Sequence, residues 1–170
     1  MLLTGTGILQ ADVITPNQFE TEQLTGVTIK TTADARHACR VLHDMGVPLV
    51  LITSITLPDA KKTDTQSNDP VENPPANSIG MFASRRRCTA ENEADYTDEQ
   101  YILYTPLLSG QFTGTGDICA ALFLAWTANM PNDTYLGDAL EKLAGETTFA
   151  LCFYIFVSGN LSATSDLLPS

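Results

Sequence analysis

Residues 112–126 read FTGTGDICAALFLAW, in which two glycines precede an acid and the acid precedes a long apolar run. Gly114 and Gly116 can adopt backbone conformations with positive φ, so the N–H groups around them can point toward one spot. The apolar run over 118–128 predicts a helix that is buried on several sides. Because a helix N-terminus adds positive potential, the segment predicts an anion-binding site.

Asp117 lies at the start of that predicted helix. A carboxylate beside a bound phosphate can accept the proton of an attacking hydroxyl group as the phosphoryl group moves. This pair of features fits a small-molecule kinase. The alternative is a glycine turn in which Asp117 only places a favourable charge at the helix N-terminus, because short glycine motifs often lack such a function.

The segments before this motif alternate between strand-like and helix-like patterns. Residues 13–15 are β-prone, and 18–24 (QFETEQL) predict a helix that Gly26 ends. In 32–45 the apolar residues recur at i, i+3, i+4 and i+7, which predicts an amphipathic helix. The continuous run VPLVLIT at 47–53 is typical of a strand buried on both faces of a parallel sheet. This order of elements indicates an α/β fold.

The middle of the chain is more polar. Residues 58–78 are rich in Pro, Asn, Asp and Ser and predict a surface excursion. Segments 79–83 and 101–104 predict two strands, antiparallel at a sheet edge. The arginines at 85–87 would either meet a phosphate or form a solvated surface, which is the commoner role of a charge run. A further helix is predicted over 134–143.

Length and charge limit the classes of protein to consider. The 170 residues suit one domain or a piece of a larger one. Nine Lys plus Arg against 20 Asp plus Glu give a net charge of −11, which disfavours binding to nucleic acid and to anionic membranes. Hydrophobic residues at 44% and charged residues at 17% indicate a folded chain.

Several residue types are assigned no chemistry. The four cysteines are too far apart for a zinc site, and with Trp126 they are expected in the core. His37 and His43 are expected on the surface, since their spacing of six does not suit a shared metal. The start of the chain lacks the features of a signal peptide, and the apolar run at 149–157 is about half the length of a membrane span. A cytoplasmic protein is therefore expected.

Three stretches together resemble a known family. FTGTGD followed by an apolar helix containing AW resembles the signature of the ribokinase superfamily, and more narrowly that of the pyridoxal kinases. ADVITPNQFETEQLTG at 11–26 and LVLITSITLP at 49–58 resemble two further stretches of pyridoxal kinases, in the family's order. The resemblance implies a ribokinase-like three-layer sandwich, a mostly parallel sheet with helices on both faces, which is incomplete here. The chain would be a single partial domain, 1–170, in which 11–143 is family-like and 1–10 and 144–170 are atypical.

The resemblance also implies roles for particular residues. Asp117 would be the catalytic base. The anion hole and ATP-binding residues would be Gly114, Thr115, Gly116, Thr53 and Ser54. The network that holds Mg²⁺ and its waters would include Thr15, Asn17 and Glu20, which offer the oxygen ligands that Mg²⁺ prefers. Two alternatives remain open: Thr15 or Asn17 caps the following helix with Glu20 as its capping-box acid, and Thr53 and Ser54 only finish a strand.

For the whole protein, the resemblance implies a kinase that transfers the ATP γ-phosphate to the 5′-hydroxyl group of pyridoxal, pyridoxine or pyridoxamine in pyridoxal 5′-phosphate salvage. Mg²⁺ with ATP, a monovalent cation such as K⁺, and a homodimer of the full-length chain would accompany it. Pyridoxal kinases are substantially longer, so this chain is expected to be inactive alone. The alternatives are a catalytically silent fragment that associates with full-length kinase, and a related hydroxymethylpyrimidine or sugar kinase.

Overall fold

The computed structural model describes residues 11–57, 75, 77–88, 96–108, 114–128 and 136–157. The predicted surface excursion lies almost wholly outside these residues, as do 1–10 and the first residues of the FTGTGD motif. The described elements are, in order, β1 (Val13–Ile14), α1 (Gln18–Thr25), α2 (Thr32–Asp44), β2 (Leu49–Ile55), β3 (Ser78–Cys88), β4 (Tyr96–Pro106), α3 (Thr115–Ala128) and α4 (Leu136–Val157).

The described strands form one sheet in the order β1-β2-β3-β4. β1 runs parallel to β2, whereas β2 with β3 and β3 with β4 are antiparallel. The predicted antiparallel strands at 79–83 and 101–104 are confirmed, and both are longer than predicted. The α/β class is also confirmed. Within the described part, however, parallel pairing is limited to β1 and β2, because β3 returns along β2 in the opposite direction.

Strand β2 is buried on both faces, as its continuous apolar sequence predicts. Val50, Ile52 and Ile55 pack with α2 on one side of the sheet. Leu49 and Leu51 pack with α3 and α4 on the other. The sheet therefore lies between two helical layers, with α1 and α2 on one face and α3 and α4 on the opposite face.

The helix ends follow from local sequence. Asn17 and Thr31 each form a capping box with the acid three residues later, which satisfies free N–H groups of the first turn. Gly26 ends α1 with φ of 71°, a conformation that glycine adopts without strain. Helix α4 begins at Leu136 and continues past the predicted end at 143. No helix in the described part of the chain is long and apolar enough to cross a membrane.

The prediction that α3 is buried on several sides is wrong. Only Cys119 and Phe123 of this helix are buried. Ile118 is 42% exposed and Leu124 is 54% exposed. The sequence is apolar nearly all round, but the described residues cover only one side of the helix. Trp126 is also not a core residue, because it is partly exposed and its indole N–H donates to Glu146 at 3.0 Å.

His43 is buried at 4% exposure, so its prediction as a surface residue is wrong. Its Nδ1 lies 2.6 Å from the Val47 carbonyl oxygen and its Nε2 lies 2.7 Å from the Ser84 hydroxyl oxygen. The Gln100 side-chain amide also donates to that hydroxyl oxygen at 3.1 Å. These bonds join the end of α2 to β3 and β4. Burial lowers the pKa of His43 below its ordinary value, so the imidazole is neutral in the folded protein at pH 7.

The arginine run lies on β3 and pairs with carboxylates. Arg85 donates to Glu99 at 2.7 Å, and Arg86 donates to Asp98 at 2.9 Å and to Asp44 at 2.7 Å. Glu99 also accepts the N–H of Leu136, the first residue of α4, at 2.8 Å. Burial would raise the pKa of Glu99, but these bonds outweigh it and hold the pKa below its ordinary value. The arginines therefore tie β3 to β4 and α2.

The burial of neutral His43 predicts a loss of stability on mild acidification. Below pH of about 6.5 the unfolded chain binds a proton at His43 that the folded chain resists. We expect the free energy of unfolding to fall as the pH is lowered from 7 to 5. His43→Gln should lower stability at pH 7 by about 1–3 kcal/mol and flatten this dependence. The measurement is urea unfolding over a pH series.

The matched control is His37→Gln, which changes the exposed histidine of the same helix. This variant should keep the pH dependence of the unmodified chain. An unchanged dependence in His43→Gln would contradict the assignment of the effect to His43.

Candidate active site

Helix α3 begins at Thr115, immediately after Gly114, which has φ of 83°. The first helical bond runs from the Ile118 N–H to the Gly114 carbonyl oxygen at 3.1 Å. The N–H groups of the first three helical residues therefore have no acceptor within the helix. They form a donor set for an anion, supported by the positive end of the helix dipole. Asp117 lies in this first turn and is exposed.

The start of α1 provides oxygen atoms near the same place. Asn17 is the N-cap: its Oδ1 accepts the N–H of Glu20 at 2.9 Å, and Glu20 Oε2 accepts the N–H of Asn17 at 2.9 Å. The capping alternative for these two residues is thus realised in the structure. It does not exclude a role toward a cation, because the box uses only one oxygen of the Glu20 carboxylate.

Thr53 and Ser54 lie near the end of β2, where the strand carries an irregularity. Ile52 is opposite Phe82 and Ile55 is opposite Gly80, so β2 has one residue more than β3 in this interval. Such a bulge redirects side chains and frees backbone groups from the sheet. The Thr53 N–H instead donates to the Pro16 carbonyl oxygen at 3.0 Å. The bulge thereby connects the end of β2 to the loop that precedes α1.

These three groups line one cavity of about 550 Å³. All the predicted site residues except Gly114, which precedes the helix, are in its wall: Thr15, Asn17, Glu20, Thr53, Ser54, Thr115, Gly116 and Asp117. The structure therefore brings together three stretches that are up to about one hundred residues apart in sequence. Among the described residues of the wall, the only charged ones are Glu20 and Asp117.

The rest of the wall was not predicted from sequence. β3 contributes Ile79 and Met81, and the end of β4 with the following residues contributes 105–108. From α4, Thr147 and Thr148 join the wall, and the Thr147 hydroxyl lies 3.6 Å from the Cys119 sulfur. A signal in the sequence existed only for 105–108, which lie at and after the carboxyl end of a strand, where α/β sheets bind ligands. Ile79 and Met81 lie near the start of β3, and Thr147 and Thr148 lie inside α4.

The oxygen donors of the cavity fit a magnesium ion held through water. Thr15, Asn17 and Glu20 offer hydroxyl, amide and carboxylate oxygens, which are the hard ligands that Mg²⁺ takes. The described residues contain no group of three or more His, Cys, Asp or Glu side chains that could hold a metal directly. A water-mediated site with few protein ligands is typical of Mg²⁺ bound with phosphates.

The sequence and the fold of this chain are similar to those of known proteins. Residues 3–74 match the sequence model of the family described as Phosphomethylpyrimidine kinase. The pyridoxal kinase of Arabidopsis thaliana is 33% identical over 141 residues, which cover 83% of this chain and 37% of that protein. The pyridoxal kinase of Homo sapiens is 36% identical over 132 residues, covering 78% of this chain and 37% of that protein.

A solved structure shares the fold. The pyridoxal kinase of Leishmania donovani in complex with ADP and pyridoxine superposes with a TM-score of 0.59 at 28% identity, covering 85% of this chain and 43% of that one. This chain is a relative of the pyridoxal kinases. The pyridoxal kinases have the ribokinase-like fold, and the sheet of this chain is an incomplete version of it. The chain spans less than half the length of the pyridoxal kinases that it matches.

The two glycines of the pyridoxal kinase motif are predicted to differ in their tolerance of substitution. A Cβ atom would meet nothing within 4 Å at either position, so the cost of substitution by alanine depends on the backbone conformation of each glycine. Gly114→Ala places a Cβ at φ of 83° and should lower the free energy of unfolding by about 1–2 kcal/mol. Gly116→Ala is the control, because this helical glycine has no positive φ. Thermal unfolding of both variants tests this, and equal losses would contradict it.

Proposed function

We propose that this chain carries the phosphoryl-transfer part of a pyridoxal kinase. The observation that supports it is the convergence, in one cavity, of the α3 N-terminus with Asp117, the start of α1, and the bulged end of β2. Each group suits one task in moving a phosphoryl group: holding its oxygens, holding a cation, and contacting the nucleotide.

In this proposal the α3 N–H groups of Thr115 and Gly116 donate to the oxygens of the transferred phosphoryl group. Asp117 accepts the proton of the attacking hydroxyl group, here the 5′-hydroxyl group of pyridoxal, pyridoxine or pyridoxamine. Thr53 and Ser54 contact the nucleotide. Preorganised donors of this kind lower the barrier because they need no reorganisation as charge develops.

The charges in the cavity support a requirement for a cation. ATP is a polyanion, and Glu20 and Asp117 are both negative. The helix N-terminus supplies only about half a positive charge. Mg²⁺ would neutralise the phosphates when bound, with Thr15, Asn17 and Glu20 holding its waters. A monovalent cation such as K⁺, a homodimer of the full-length protein and a cytoplasmic location remain predictions from the family resemblance.

Asp117→Asn tests the proposed base. The amide keeps the size of the side chain but cannot accept the proton, so formation of pyridoxal 5′-phosphate should fall by about 10²–10⁴-fold. Binding of ADP with Mg²⁺, measured by calorimetry, should stay within a few fold. In a preparation in which the unmodified chain forms product, equal product formation by Asp117→Asn would contradict the role of Asp117.

A second candidate function is association with a full-length kinase without turnover. The observation that favours it is the exposed side of α3, where Ile118, Ala121, Leu124 and Ala128 are all apolar. A contiguous apolar patch on a protein surface is typical of a protein–protein interaction site. Product from the unmodified chain alone would count against this candidate, whereas ADP binding without product would favour it.

Leu124→Asp tests the association. We expect the unmodified chain to form a complex with a full-length pyridoxal kinase in sedimentation velocity, and Leu124→Asp to weaken that complex at least about tenfold, because a charge would be buried in an apolar contact. Ala33→Asp, at an exposed position of α2 on the opposite face of the sheet, is the control and should leave the complex unchanged. Equal weakening by both variants would contradict the use of this surface.

A hydroxymethylpyrimidine or sugar kinase is a third candidate, favoured by the match of 3–74 to the phosphomethylpyrimidine kinase family. Assays of the same preparation with pyridoxal, hydroxymethylpyrimidine and ribose separate these substrates.

A further inference from the structure

Gln18 lies between two site residues, Asn17 and Glu20, but does not itself line the cavity. Its side-chain amide makes two bonds of 3.0 Å away from the helix. Oε1 accepts the backbone N–H of Thr56, and Nε2 donates to the Ile29 carbonyl oxygen. The same Nε2 lies 3.4 Å from the Glu22 carboxylate.

Thr56 directly follows the last residue of β2, two positions after Ser54. The bond from Thr56 to Gln18 therefore ties the first residue of α1 to the strand that carries the proposed nucleotide contacts. On the other side of Asn17, the Thr53 N–H donates to the Pro16 carbonyl oxygen. Asn17 is thus held between two tethers, and both tethers lead to the bulged end of β2.

We infer that Gln18 is a positioning residue, which sets the start of α1, with its cation-facing oxygens, against the nucleotide-facing end of β2. This inference rests on the proposed function. A metal-bound nucleotide must contact both groups at once, so their separation decides how much the cation strengthens nucleotide binding. A displacement of about 1 Å between reacting groups can lower the reaction rate by about two orders of magnitude.

A merely structural role for Gln18 predicts a different outcome. If the side chain only stabilised α1, its loss would lower the stability of the protein without changing the ratio between nucleotide affinities with and without the cation. The informative quantity is therefore the ratio of the ADP dissociation constant in EDTA to that in Mg²⁺, which measures the coupling between cation and nucleotide.

The test is calorimetric titration of the full chain with ADP, in EDTA and in Mg²⁺. Gln18→Met keeps the length of the side chain and removes both hydrogen-bonding groups. We expect the coupling ratio to fall about tenfold while the ADP affinity in EDTA changes less than about twofold. Thr56→Pro removes the other partner, the Thr56 N–H, and should lower the ratio in the same way.

The matched control is Glu22→Met. Glu22 lies one turn further along α1 and accepts the Ile29 N–H at 2.8 Å, but it does not bond to β2. Glu22→Met should reduce thermal stability as Gln18→Met does, and it should keep the coupling ratio of the unmodified chain.

The results that overturn the inference are distinct from failure of the proposed function. An unchanged ratio in Gln18→Met, an equal fall in both ADP affinities, or loss of folding in both test variants would show that Gln18 only stabilises the fold. If the unmodified chain bound no ADP under either condition, the proposed function itself would fail, and this inference with it.

Discussion

Burial of β2 on both faces is the constraint on which the rest of the structure depends. Alternate residues of this strand belong to different cores, Val50 and Ile52 to the α2 side and Leu49 and Leu51 to the α3 and α4 side. Neither helical layer can shift along the sheet without disturbing packing in the strand that both share. The bulge at Thr53 and Ser54 occurs near the end of this strand, so the site begins where the two-sided core ends.

The proposed site also needs positive charge that the described residues of its wall do not supply. Two carboxylates and the N-terminus of α3 surround a cavity meant, in our proposal, for a polyanion. The helix dipole favours phosphate, but Glu20 and Asp117 oppose it until a cation is present. Asn17 and Glu20 also satisfy each other in the capping box. A single pair of residues thus starts a helix and offers oxygens to a cation, which explains why sequence patterns alone leave both roles open.

The outer side of α3 is an apolar surface that the described residues leave uncovered. Its inner side packs Cys119 and Phe123 against the sheet layer, while Ile118 and Leu124 are exposed. The pyridoxal kinases that resemble this chain are more than twice as long as the part it matches. A helix that is apolar all round needs neighbours on more than one side, and the described residues provide them on one side only.

Local sequence determined the elements and their inward faces. The spacing of Ala35, Ala38, Cys39 and Leu42 predicted α2 and its buried side, and the run at 47–53 predicted a strand without a polar face. Gly26, Gly114 and Gly116 were identified as positions for unusual backbone; Gly26 and Gly114 have positive φ, whereas Gly116 does not. These features could be predicted because they depend on the periodicity and backbone freedom of neighbouring residues.

The tertiary structure decided which groups meet. His43 is buried against β3, where its ring forms a hydrogen bond with Ser84, which is 41 residues away in sequence. No local sequence pattern contains that contact. The bulge in β2 depends on its register with β3, and the unpredicted wall of the cavity combines β3, β4 and α4. A sequence period sets which side of an element is apolar. Only long-range pairing sets what covers that side, or whether anything does, as α3 shows.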